Sequence, residues 1–150
     1  MSLGLDELRR RRLGALRRQL TLFGTGPADP TLFAVGPRPD LIGRPVAALQ
    51  PGDGPLSAEV RERDALDDVD LSDDVLPTRI SGKLSKGGDQ RSLALALNGV
   101  IVATTQTYTD GDGDEFAALV PQRALRNGGN ELELFDIGSR GKPLEEIAVD

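Results

Sequence analysis

Two apolar runs, 93–97 and 100–103, flank Asn98-Gly99 in the segment RSLALALNGVIVATTQTY. Asn-Gly between alternating apolar positions is the strongest short-range hairpin signal, because a type I′ turn needs positive φ at both central residues. With those two at the turn, Leu97 faces Val100, Leu95 faces Val102 and Leu93 faces Thr104. Ala94, Ala96, Ile101 and Ala103 then line the opposite face. Both faces are largely apolar. The hairpin is therefore predicted to lie inside a packed β architecture, as scaffold and not as a catalytic centre.

Similar patterning continues on either side. A strand over 78–84 runs into the turn Ser85-Lys86-Gly87-Gly88. Asp110-Gly111-Asp112-Gly113 precedes a strand over 115–120, and Asn127-Gly128-Gly129-Asn130 precedes one over 131–137. A last apolar stretch over 144–149 closes the sheet. Strands and turns at this spacing predict a mainly β domain over 77–150, an antiparallel immunoglobulin-like β-sandwich. The Cys and Trp marks of true immunoglobulin domains are absent.

The period changes toward the N-terminus. Leu5, Leu8, Leu13, Leu16 and Leu20 recur at roughly helical spacing. Asp6 and Glu7 sit where the helix dipole favours acids, and arginines follow toward the end that favours cations. An amphipathic helix is predicted over 5–21 within a segment 1–23, stopped by Gly24 and Gly26. Its leucine stripe has to be buried on something. Residues 24–76 read as a connector, Pro/Gly-rich to about 57 and acidic after that. Leu32, Phe33, Val35, Leu41, Ile42 and Val46 make it an ordered connector that hugs a surface with short strands, since a disordered linker seldom carries so many apolar residues. The acidic part has room for a short strand near 58–63 or 65–69.

Composition narrows the chemistry. The chain has 150 residues, 38% hydrophobic and 3% aromatic, so its core must be built from Leu, Val, Ile and Ala. It has no cysteine and no histidine. Disulfides, thiolate metal sites, the commonest general base and any Ser-His or Cys-His pair are thereby excluded. Carboxylates remain as acids, bases or hard-cation ligands. No run of about 20 apolar residues is present to span a bilayer. The net charge of −6 divides unevenly. Residues 1–50 carry eight Arg/Lys against four Asp/Glu, and residues 51–150 carry ten against twenty. The acidic part repels nucleic acid, which is not an expected partner. The run Arg9, Arg10, Arg11, Arg12 reads as a solvated or partner-facing helix surface, with anionic lipid as the alternative.

The weak metal candidates are Asp110, Asp112 and Asp114 in TDGDGDEF, where alternate carboxylates could converge on calcium. An EF-hand loop needs Gly at its sixth position and Glu at its twelfth, and here those are Glu115 and Pro121. The segment therefore reads as a solvated acidic turn, and no cofactor is predicted. Asp67, Asp68, Asp70, Asp73 and Asp74 read as a solubilising loop. Thr104, Thr105, Thr107 and Tyr108 form a polar patch after the hairpin, although one Tyr and no Trp make a poor stacking platform for sugars. Ser81 has no evident base to activate it.

The stretches ISGKLS, LALALNGVIVATTQTY, FAALVP and ALRNGGNELELFDI in residues 80–137 resemble the non-catalytic C-terminal region of bacterial membrane-anchored sulfatase-like hydrolases, in the alkaline phosphatase superfamily. The upstream RRQLTLFGTG and TLFAVGPRPDLIGRPV look like the stretch that leaves such a catalytic domain, and the resemblance spans about 13–137. No catalytic residue carries over: the nucleophile motif, Cys or Ser followed by x-Pro-x-Arg, is absent, as are the metal-binding histidines. The resemblance implies a non-catalytic accessory β-domain that packs against or positions the parent's catalytic domain on the extracytoplasmic side of a membrane. The alternative is a binding module for a cell-envelope glycan or a protein partner. The implied partner is the parent's catalytic domain, with homo-association through the N-terminal helix as a second contact.

Overall fold

The computed structural model describes residues 34–111, 113–138 and 141–150, all within the unit Phe33–Asp150. The helix expected over 5–21, its arginine run and Asp112 lie outside the described residues. Within them the chain forms eight strands: β1 (Gly52–Val60), β2 (Arg79–Leu84), β3 (Ser92–Leu97), β4 (Val100–Gln106), β5 (Tyr108–Asp110), β6 (Gly113–Leu119), β7 (Leu132–Asp136) and β8 (Glu145–Val149). They make one sheet in the order β4-β3-β7-β8-β1-β2-β6-β5. β1 and β8 run parallel, and the other neighbours run antiparallel. The sheet curls until β4 meets β6. There the Thr105 hydroxyl donates to the Ala117 carbonyl at 2.7 Å.

The β class expected from the sequence is present, but the connectivity is that of one mixed, curled sheet and not of an antiparallel immunoglobulin-like sandwich. The difference originates in β1. Its sequence GDGPLSAEV, with two glycines and a proline, reads as connector, yet it lies between β8 and β2. Pro55 falls inside a register shift of the β1–β8 pairing, between Asp53 and Ser57, where a missing N–H costs the ladder least. A Cβ at Gly54 would lie 2.5 Å from the Glu146 carbonyl oxygen, so the close approach of β8 requires glycine. Past the proline the strand alternates, and Leu56, Ala58 and Val60 enter the core.

β3 is buried on both faces. Leu93, Leu95 and Leu97 join the inner cluster with Leu56, Ile80, Phe116, Leu134 and Ile147. Ala94 and Ala96 join an outer cluster with Leu41, Ile101, Phe135, Ile137 and Leu144. The turn has the expected geometry, with φ of 53° at Asn98 and 82° at Gly99. Leu97 pairs with Val100 as expected. Ala96 pairs with Ile101 in the same register, but a bulge between Ala96 and Leu95 then shifts it, so that Leu95 pairs with Ala103 and Leu93 with Thr105. The extra residue places both Val102 and Ala103 in the inner cluster.

Residues 34–50 form a strap over the outer cluster. The Gly43 and Val46 amides donate to the Ile101 and Gly99 carbonyls at 2.8 and 2.9 Å, and the Ile101 amide donates to the Arg44 carbonyl at 3.0 Å. These bonds occupy part of the otherwise open edge of β4. Leu41 is 1% exposed beneath the strap, and Val46 and Leu49 pack beside it. Burial of that one leucine is worth about 1.5–3 kcal/mol.

Two asparagines join the turns at one end of the sheet. The Asn98 side-chain amide donates to the Asn130 side-chain oxygen at 3.0 Å and to the Ala124 carbonyl at 3.1 Å. Asn130 is 3% exposed. Its oxygen also accepts from the Arg126 amide at 2.8 Å, and its nitrogen donates to the Arg126 and Gly128 carbonyls at 2.8 and 3.0 Å. Its backbone amide donates to the Leu66 carbonyl at 2.8 Å, which brings in the short helix Arg63–Asp67.

Asn130→Ala removes several bonds from buried backbone groups at once. It is expected to cost about 2–4 kcal/mol, read as a lower denaturant midpoint at unchanged slope. A second expectation concerns Glu133 on the outer face, whose carboxyl is raised above its usual range by burial and then by Glu131 and Glu146. A carboxyl raised in the folded state binds more protons than in the unfolded state. Its contribution to stability is therefore present in acid and lost as the pH rises through the folded value. Glu133→Gln should raise the melting temperature slightly at neutral pH, and the gain should vanish in acid.

Candidate binding cleft

Sequence-nominated polar residues are mostly committed to structure. Asp114 is 2% exposed, and its carboxylate accepts from the Gly88 amide at 3.1 Å and the Thr109 hydroxyl at 3.2 Å. Asp110 is exposed at the end of β5, paired with Gly113. No group of three metal-ligating carboxylates forms among the described residues. In the acidic loop Asp70 accepts from the Ser72 amide and hydroxyl at 2.9 and 2.7 Å, and these bonds lower its pKa from the ordinary aspartate value.

The expected threonine patch does not exist as a surface. Thr104 and Thr107 are buried, and the Thr107 hydroxyl oxygen accepts from the Arg91 amide at 2.8 Å. The bulge in β4 and the curl of the sheet turn these side chains away from solvent. Only Tyr108 stays exposed, within 3.4 Å of Glu115, to which Arg61 also donates at 2.6 Å. The hydrogen bond from Arg61 is the main reason that the Glu115 pKa lies below its usual value.

Ser81 has a carboxylate partner that the sequence did not reveal. Its hydroxyl donates to Glu62 Oε1 at 2.9 Å and its amide to Oε2 at 2.7 Å. A serine on a carboxylate resembles an activated nucleophile, but Ser81 is 0% exposed and cannot meet a substrate. The pair instead ties the end of β1 to β2. Nineteen residues separate the two, and no local motif links them.

An open polar site lies elsewhere. Where β3 begins, β7 ends and β8 begins, a cleft of about 420 Å³ opens. Its half-buried floor carries Arg91, Ser92 and Asp136, and its exposed rim carries Asp89, Lys142 and Glu145. The floor is rigidly built. Arg91 and Thr107 exchange backbone contacts, with the Thr107 amide donating to the Arg91 carbonyl at 2.9 Å. The Arg91 guanidinium donates to Asp136 Oδ2 at 2.9 Å, and Oδ1 accepts from the Gly138 amide at 3.0 Å. The Ile137 amide donates to the Ser92 carbonyl at 2.9 Å. The side chain of Asp136 is 14% exposed and that of Arg91 33%, so the ion pair is fixed on one side and open on the other. The sequence showed these residues only as unremarkable strand ends.

Comparison with family models, curated proteins and solved structures finds no match to this chain.

The burial of Ser81 sets an expectation. A fluorophosphonate directed at activated serines should leave Ser81 unlabelled, as peptide mapping would show. Ser81→Ala should lower stability by about 1–2 kcal/mol, because Glu62 loses a hydroxyl donor.

Proposed function

We propose that this chain is a non-catalytic accessory β-domain that packs against or positions a sulfatase-like hydrolase catalytic domain on the extracytoplasmic side of a membrane. The sequence support is the resemblance over about 13–137. The structural observation that carries the reading is the strap. A domain that positions its neighbour needs an ordered attachment, and residues 34–50 enter the sheet through defined backbone hydrogen bonds to β4 instead of as a free linker. Buried polar side chains such as Asn130, Asp114 and Ser81 bond within the fold, as suits a scaffold. In this reading the curled sheet wraps one inner core, to which β1, β2, β3, β4, β6, β7 and β8 all contribute side chains. No described helix is long and apolar enough to cross a membrane.

The test is made in the source cells. Antibody raised against this chain, whose own mass is 16.0 kDa, should detect a much larger protein in the membrane fraction. Purified chain should leave aryl sulfates and phosphate esters unhydrolysed. A soluble cytosolic band at the mass of the chain, or turnover abolished by one Asp or Glu substitution, would overturn the proposal.

A further inference from the structure

We infer that the cleft at the β3, β7 and β8 strand ends binds a neutral, polyhydroxylated ligand of the saccharide class. The inference goes beyond the accessory role and does not depend on it. Among the described residues, the floor and rim set out above carry two cations, Arg91 and Lys142, against three carboxylates, Asp89, Asp136 and Glu145. An anionic ligand meets the three carboxylates as well as the general acidity of residues 51–150. A cationic ligand meets Arg91 and Lys142. A hydroxyl group can donate to a carboxylate and accept from a guanidinium or ammonium, so a polyol satisfies both kinds of lining group at once.

Three features favour a site over a plain surface dip. The Arg91–Asp136 pair is pre-oriented by bonds from the Gly138 amide and through the backbone of Thr107, so a ligand need not order it. Lys142, Asp89 and Glu145 make no ion pair among the described residues and are available for contact. The volume suits one or two sugar rings. No aromatic residue lines the cleft among the described residues. Recognition therefore rests on hydrogen bonds, and the affinity is weak without a repeated ligand.

Two-dimensional NMR titration of the whole chain tests this. The probes are three neutral trisaccharides, of β-linked glucose, β-linked N-acetylglucosamine and α-linked mannose. At least one should shift the amides of Gln90, Ser92 and Gly138 saturably. Lys142→Ala and Glu145→Gln, both at exposed positions, should each weaken it by about fivefold, while Glu59→Gln on β1 should leave it unchanged. Spectral dispersion of each variant confirms folding. The inference falls if no sugar shifts those amides at millimolar concentration, if the shifts map elsewhere, or if the two cleft variants bind like the parent. It also falls if free lysine, glutamate or inorganic sulfate binds the cleft more tightly than every sugar.

Discussion

The hydrogen bond between the Asn98 and Asn130 side chains holds the turns of this fold in place. Asn98 is in the left-handed conformation required by its own turn, and its side chain reaches outward to a second turn and to the Ala124 carbonyl. Asn130 is sealed from water, with its amide spent on backbone groups of its own turn. A side chain of this shape, with an acceptor and two donors in one plane, can replace water for several turn groups at once. Neither aspartate nor leucine could do so. The β3–β4 hairpin, the entry into β7 and the helix after β1 all depend on this junction.

The other governing constraint is the two-sided burial of β3. A sheet with only one apolar face can leave the other to solvent, but LALAL presents leucines inward and alanines outward with no polar position between them. The outer alanines are small and form a shallow floor. The strap fills it with Leu41 and continues the hydrogen bonding of β4. A segment rich in proline and glycine suits that task because it needs to follow a curved surface and not to form a ladder of its own.

Legibility in the sequence follows from how local each feature is. The Asn98-Gly99 turn was readable because both positive φ values are demanded by adjacent residues. Strands β2, β3, β4, β6, β7 and β8 were readable, give or take a residue or two, because their apolar positions lie between turn residues. β1 was readable only at its end, where 58–60 falls within the strand expected near 58–63, since its glycines and Pro55 signal a loop unless the partner strand is known to shift register there. The bulge at Val102 was invisible for a related reason: the unbroken apolar run 100–103 permits either register. The role of Asn130 could be seen only as part of a turn. The cleft could not be seen at all, because Arg91, Asp136 and Lys142 come together only through strand order. Ser81 and Glu62 illustrate the same limit over a shorter distance.

The position of β8 has a consequence for how the molecule is made. It is the last strand in sequence, yet its two neighbours, β7 and β1, belong to separate groups: β4-β3-β7 on one side and β1-β2-β6-β5 on the other. During synthesis, each group can pair internally while the ladder between them is still missing. Both then carry an unsatisfied strand edge until residues 145–149 leave the ribosome. The joining contacts span most of the chain, from Gly52 to Glu145, a separation that slows folding through loop-closure entropy. The facing edges of β7 and β1 thus stay open to intermolecular strand pairing from the time their own groups form until β8 is in place.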